Sequence, residues 1–328
     1  MNTVRAGVIG VGRMGQRHCR VFANLRHAEL CAVYDADRAR SEEVGRQYEV
    51  ASFSSVDALL DKVDAVTLAV PTPLHVELAE KCLRRGVHVL VEKPISDSVS
   101  EAERLTRLAA ASGQVVQVGH IERFNTAFIE LKQVLETVTP LAVSFRRLSP
   151  SQGSNLDVDV VLDLMIHDIN LALDLMGEEP AWVTAHGLSV FSGTVDHAVA
   201  HFGFSRGPLF TLTASRVTEH KVRSIEVTAR EAYIECDLLG KSIKMHRETI
   251  GEYMNGLNPG GRYRQESIVE RIQVPTFESL FMQLQHFVDC VRHRSQPAVS
   301  ARDGLNALRV AQQVRDLALA RVEAQATH

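Results

Sequence analysis

The stretch "GVIGVGRMGQRH", Gly7 to His18, limits more than any other what this chain can fold into. Gly10, Gly12 and Gly15 fit G-x-G-x-x-G, with Arg13 and Met14 in the variable places. The β-branched run "TVRAGVIG" ahead of it reads as a buried strand, and "RMGQRHCRVFANL" behind it as a helix. In that context each glycine has a task. Gly10 permits a tight turn, Gly12 lets backbone approach a pyrophosphate, and Gly15 lets helix and strand pack closely, while the helix N-terminus favours the anion. The next strand, "AELCAVYD", ends at Asp35, twenty residues beyond Gly15, where a carboxylate can accept bonds from an adenosine ribose. The pattern predicts a dinucleotide site; an ordinary glycine turn beside a solvated loop acid is the plainer alternative. Asp35 repels a 2′-phosphate and so favours NAD, and Arg38 and Arg40 nearby keep NADP open.

The alternation continues to about residue 120. "DAVTLAV", "GVHVLVE" and "QVVQVGH" read as short buried strands, separated by helices at "PLHVELAEKCLRRG" and "SVSEAERLTRLAAASG". Such alternation implies a doubly wound parallel sheet, in which ligands bind at the carboxyl ends of the strands. A first domain is expected over 1–119 and a second over 120–328. The second opens with a helix at "ERFNTAFIELKQVLE". Strand-like runs follow at "LAVSFRRLS", "AWVTAHGLSVF", "HAVAHFGFS", "PLFTLTASRV", "RSIEVTAR" and "AYIECDLL", an α+β arrangement with a large, mostly antiparallel sheet. "ESLFMQLQHFVDCVRHR" and "ARDGLNALRVAQQVRDLALARV" read as closing helices, and "GEYMNGLNPGGRYRQ" as a mobile loop.

Composition excludes other classes of function. A net charge of -4 offers no basic footprint for nucleic acid or a membrane surface. The five cysteines include no C-x-x-C pair, so neither a metal site nor a disulfide framework is expected. No run of eighteen apolar residues occurs, and the N-terminal apolar run is too short for a secretory leader, so a cytoplasmic protein with reduced thiols is expected.

The stretch "DVVLDLMIHDINLALDLMG", Asp159 to Gly177, is apolar except for one ladder. On an α-helix Asp159, Asp163, His167, Asn170 and Asp174 would stack on one face, with Asp168 at its edge. His167 suits the acceptance of a hydroxyl proton, since its reference pKa is about 6.5, and Asp163 could orient the imidazole or bind a hydroxyl itself. A structural Asp and His pair on an exposed stripe is the alternative, and no further ligands suggest a metal. Lys93 would project from the carboxyl end of a strand, where nearby positive charge lowers its pKa; a surface lysine is the alternative.

Three further stretches carry a resemblance: "VPTPLH" (Val70 to His75), "VEKPIS" (Val91 to Ser96) and "DLMIHDIN" (Asp163 to Asn170). With the glycine fingerprint and "FVDCVRHRSQPAVSARDGLNAL" they make nearly the whole chain resemble the Gfo/Idh/MocA oxidoreductases. The resemblance implies a Rossmann domain followed by an α+β domain whose open sheet has one face covered by helices and the other used for a homodimer or homotetramer. It implies that Lys93, Asp163 and His167 surround the reacting sugar carbon in a cleft between domains, that Thr72, His75 and Glu92 lie near the nicotinamide ribose, and that Lys93-Pro94 is cis. The lead "NLDVDVVLD" departs from the glycine-rich one usual in the family, so the substrate loop is expected to differ. "GHIERFN" with "VVLDLMIHDIN" looks most like the branch that oxidises the 3-hydroxyl of UDP-N-acetylglucosamine. Arg123, Asn125 and Arg146 are then candidates for the substrate, arginine suiting a diphosphate, though each could equally serve a surface or interdomain ion pair. An inositol or free-sugar dehydrogenase, and a catalytically silent NAD-binding sensor, are the competing readings.

Overall fold

The computed structural model describes residues 3–150, 158–191, 193–253 and 262–326. Two compact units emerge, one of Met1–Phe124 with Phe277–Val310, the other of Asn125–Thr276 with Ala311–His328.

The first unit is the expected doubly wound sheet. Strands β1 (Val4–Ile9), β2 (Ala28–Tyr34), β3 (Ala51–Ser52), β4 (Ala65–Leu68), β5 (His88–Glu92) and β6 (Val116–Gly119) lie all parallel in the order β3-β2-β1-β4-β5-β6. Burial on both faces explains the mostly apolar sequences of the central strands: Val66, Leu68, Val89, Leu90, Val91 and Val118 are fully enclosed. Helices α1 (Arg13–Phe22), α2 (Arg38–Gln47), α3 (Val56–Leu60), α4 (His75–Arg84) and α5 (Val99–Ser112) make the crossovers. The strand order reverses between β1 and β4, so the ends of these strands form the crevice where ligands bind in such sheets.

The boundary expected at 119/120 differs from these units. "ERFNTAFIELKQVLE" is not one helix: a 3-10 turn, Ile121–Phe124, precedes α6 (Thr126–Leu135), and Asn125 between them caps α6. The penultimate helix, Ser279–His293, belongs with the first unit because its apolar stripe, Leu280, Leu284, Phe287, Val288 and Val291, joins the core that includes Val4, Val8 and Phe22. Apolar periodicity predicts that a helix buries a face, not which core receives it.

The second unit holds an eight-stranded sheet, built from β7 (Pro140–Leu148), β8 (Trp182–Leu188), β9 (His197–Gly203), β10 (Leu209–Ser215), β11 (Val222–Ala229), β12 (Tyr233–Asp237), β13 (Ser242–Tyr253) and β14 (Arg262–Ile272). Its order is β14-β13-β12-β11-β7-β10-β9-β8, antiparallel except for β7 beside β10. Val143, Phe145, Phe202, Phe210, Leu212, Ile225 and Ile234 are buried on one face. The alternate residues Ser144, Arg146, Thr211, Thr213, Glu226 and Glu235 are half-buried or exposed on the other. The expected loop "GEYMNGLNPGGRYRQ" instead has its ends in a hairpin: Gly251–Tyr253 pair with Arg262–Arg264, and 254–261 lie outside the described residues. Alternation of buried Ile243 and Met245 with charged neighbours continues the β pattern past Gly240, and it was hidden by the high charge of these strands. A π-helical turn, Val161–Met165, runs into α7 (Ile166–Met176), which packs against β10.

Candidate active site

The glycine turn has the geometry its spacing predicts. Gly10 has φ +87°, and a β-carbon there would fall 2.7 Å from the Ala69 carbonyl oxygen. A β-carbon on Gly15 would sit 1.8 Å from the Gly10 carbonyl oxygen, so any larger residue would push α1 off the turn. Gly12 is different. The nearest atom to its missing side chain is Arg40 Nη1 at 3.8 Å, which leaves its backbone open to a group lying flat against it. Gly12 caps α1 without a side-chain acceptor, so the first-turn N–H groups of Arg13, Met14 and Gly15 are available to an anion. Asp35, at the end of β2, is held to this turn: Oδ2 accepts from the Val11 N–H at 2.8 Å and Oδ1 from the Asp37 N–H at 2.9 Å. Arg40 Nη2 lies 3.6 Å from Asp35 Oδ1, whereas Arg38 is turned to Glu42. An open-backed glycine, an uncapped helix start and a fixed carboxylate fit the pyrophosphate and ribose of a nicotinamide dinucleotide.

The carboxyl end of β5 carries the second group. Lys93-Pro94 is cis, as the resemblance implied. Glu92 Oε1 lies 3.1 Å from His18 Nε2 on α1, and its Oε2 accepts from the Lys93 N–H at 3.3 Å. The adjacent Gly119 makes room: a β-carbon there would be 2.9 Å from Glu92 Oε2. His75 is buried, with Nδ1 2.9 Å from the Pro94 carbonyl oxygen and Nε2 3.0 Å from that of Val70, and so ties the strand ends around the turn. Burial lowers its pKa, against the pull of those carbonyls and of Glu92 and Asp97. Thr72, half-buried, begins the 3-10 turn ahead of His75. Lys93 is half-buried beside His120, whose pKa is pushed down to about 3 by burial first and then by the charges of Lys93 and Arg123. Arg123 Nη2 donates to the Ala298 carbonyl at 2.9 Å. Neither His18 nor His120 was singled out in the sequence. For His18 a signal existed, since it lies on the α1 face that meets the sheet.

In the second unit the ladder is divided. Asp159 is the start of the helical segment, its Oδ1 accepting from the N–H groups of Val161 and Leu162, both at 2.9 Å. The π turn then widens the helix between Asp163 and His167, so the expected regular α-helical stack does not extend through this segment. Asp163 and His167 are both half-buried, while Asn170 is fully enclosed and Asp174 pairs with Lys132 at 2.9 Å. The largest difference concerns Asp168, expected at the edge of the stripe. It is 2% exposed and takes a bidentate grip from Arg147 of β7: Nε lies 3.0 Å from each carboxylate oxygen and Nη2 2.6 Å from Oδ1. Asn125 is 4% exposed, with Oδ1 accepting from Ala127 N–H and Nδ2 donating to the Leu238 carbonyl. Arg146 lies on the open sheet face, 3.9 Å from Glu226. Among the described residues no group of three or more histidine, cysteine or acidic side chains is placed to hold a metal ion.

The doubly wound sheet and its glycine turn are those of a dinucleotide-binding protein. Comparison with known proteins gives the family. Residues 4–120 match the oxidoreductase family with an NAD-binding Rossmann fold, and residues 143–235 the GFO/IDH/MocA C-terminal domain. UDP-N-acetylglucosamine 3-dehydrogenase of Acidithiobacillus ferrooxidans is 32% identical over 312 residues, covering 95% of this chain and 96% of its own. Its crystal structure superposes with a TM-score of 0.88 over 98% of this chain and 100% of that one, at 31% identity. The scyllo-inositol 2-dehydrogenase (NAD(+)) of Bacillus subtilis is 26% identical, covering 92% of this chain and 90% of its own. The chain belongs to the Gfo/Idh/MocA family and is an NAD(P)-binding dehydrogenase acting on CH–OH groups.

Proposed function

We propose that the chain is an NAD-dependent dehydrogenase that oxidises the 3-hydroxyl of UDP-N-acetylglucosamine to the 3-keto nucleotide sugar. The observation that carries this reading is the end-to-end similarity to an enzyme of that name, at an identity above that of the inositol dehydrogenases that match over a comparable length. NAD is favoured over NADP because the Asp35 carboxylate is fixed at the ribose end of the glycine turn. When bound, the nicotinamide supplies the hydride acceptor. The chain supplies the rest: neutral His167 takes the hydroxyl proton, Asp163 steadies the imidazole or holds a neighbouring hydroxyl, and Lys93 holds the reacting oxygen as it becomes a carbonyl. Gly10, Gly12, Arg13, Met14, Gly15 and Asp35 hold the dinucleotide, with Thr72, His75 and Glu92 shaping its nicotinamide end. Arg123 is the candidate for the diphosphate. Asn125 serves as a helix cap and Arg146 belongs to the open sheet face, so neither is assigned to substrate. Retention of Lys93 and His167 argues against a silent sensor. A cytoplasmic enzyme is consistent with five cysteines that form no disulfide.

The test is NADH formation across UDP-sugars, inositols and free hexoses. UDP-N-acetylglucosamine should give the highest kcat/KM. A myo- or scyllo-inositol that outpaces every nucleotide sugar would replace this reading with the inositol one.

A further inference from the structure

The helical segment that carries Asp163 and His167 is apolar almost all round. Val161, Met165, Ile166, Ile169, Leu171 and Ala172 are enclosed, yet Leu162, Leu164, Leu173, Leu175 and Met176, half-buried, would suit a core as well. Burial is non-directional, so the apolar contacts alone would oppose a rotation by one residue, about 100° on an α-helix, only weakly, because it exchanges much of one apolar set for another. Apolar packing therefore specifies the rotational phase of this helix poorly. The phase matters, because it decides where the His167 imidazole and the Asp163 carboxylate point. The π turn adds a second ambiguity, since reverting to α-helical hydrogen bonding would shift the phase of everything before it.

Beside the partly exposed pair of Asp174 with Lys132, one fully buried contact discriminates. Arg147, 1% exposed on β7, grips Asp168 through both carboxylate oxygens, and Asp168 is the residue after His167. A planar two-point bond between buried groups admits a single orientation, and any other phase would leave an ionised carboxylate enclosed without its partner. A pair of apolar residues could fill the same volume at similar stability, so the charge pair contributes orientation more than energy. We propose that Arg147 and Asp168 are positioning residues for the reaction: their buried ion pair sets the phase of α7 against β7 and thereby aims His167 and Asp163. This inference rests on the reading of His167 and Asp163 as active-site groups.

The single variants Arg147→Met and Asp168→Asn leave a buried group without its partner and risk misfolding, so the decisive variant is Arg147→Met with Asp168→Leu. It should fold, with circular dichroism and NAD affinity like the unaltered chain. Its turnover should nevertheless fall tenfold or more at little change in NAD affinity. A second readout does not depend on activity. The ring signal of His167, identified among the fourteen histidines by its loss in His167→Gln, should move or split in the double variant. If the double variant keeps both turnover and the His167 signal, the pair is structural only and the proposal falls. If the unaltered chain oxidises no sugar, the functional reading fails instead, and the phase-setting role stands or falls on the His167 signal alone.

Discussion

At the scale of single residues the structure separates side chains that look equivalent in sequence. Asp163 and Asp168 flank His167, yet one is half-buried and the other is locked to Arg147 beneath the sheet. Only the second partner, distant in sequence, tells them apart, and periodicity carries no information about it. The E-K-P turn was more legible, because Lys93 is fixed by a local feature, the end of a parallel strand. If Lys93 and His167 act as proposed, Lys93→Ala and His167→Ala should each lower turnover about a hundredfold or more while NAD still binds. The oxidation kcat/KM should rise through one ionisation between about pH 6 and 8, and the rise should vanish in His167→Gln. Its survival there, with loss in Lys93→Met, would make the lysine the base. Asp35 gives a separate expectation. Asp35→Ser removes the carboxylate that accepts from Val11 and Asp37 and leaves Arg40 beside the ribose position, so NAD should bind more weakly and NADP relatively better. Calorimetric titration with both cofactors checks this; an unaltered preference would remove Asp35 from discrimination.

At the scale of elements, the central strands β1, β4, β5 and β6 were readable because their mostly apolar residues are enclosed and the fingerprint glycines fix the first turn. The two-residue strand Ala51–Ser52 and the short helix Val56–Leu60, by contrast, carry too little pattern to be read. The helix of Asp159 to Gly177 was readable as a helix but not in its phase. A π turn has no composition of its own, and the role of Asp159 depends on the φ/ψ of the residues after it. That role is testable. Asp159 is 8% exposed, and its carboxylate satisfies the N–H groups of Val161 and Leu162, although burial raises its pKa against their pull. Asp159→Ala should cost about 1 kcal/mol of stability, the usual value of a lost N-cap, while Asp159→Asn should recover most of it. Urea unfolding of the three proteins measures the difference, and equal midpoints for Asp159→Ala and the unaltered chain would show the cap to be dispensable. The start of β13 marks the opposite case, where Lys244 between buried Ile243 and Met245 conceals an alternation that pairing with β12 makes plain.

At the scale of the whole molecule two properties follow from what is enclosed and what is left open. His120 is fully buried and neutral, with a pKa near 3 against about 6.5 for an unfolded histidine. Between those values the unfolded chain binds a proton that the folded chain refuses, so the stability is complete above about pH 6.5 and is lost as pH falls toward 3. The loss approaches tenfold in the folding constant per pH unit. His120→Phe should flatten that slope in urea titrations at several pH values, and an unchanged slope would mean that other groups govern the acid limb. The open face of the large sheet sets the other property. Leu209 is 46% exposed there, Tyr233 38% and Trp182 47%, the indole lying across Gly203, where a β-carbon would meet it at 2.1 Å. Ala142 stands opposite Leu209 on one side and Thr228 on the other, and Thr228 faces Tyr233, so low, uncharged side chains continue across β10, β7, β11 and β12. A sheet face with apolar side chains on neighbouring strands suits a second copy of itself, as a two-fold interface requires. The chain should therefore run as a homodimer or homotetramer in light scattering coupled to size exclusion. Leu209→Arg with Tyr233→Arg should reduce it to a smaller species that still binds NAD, since the glycine turn lies in the other unit. An unaltered chain that stays monomeric at high micromolar concentration would show that this face is simply solvated.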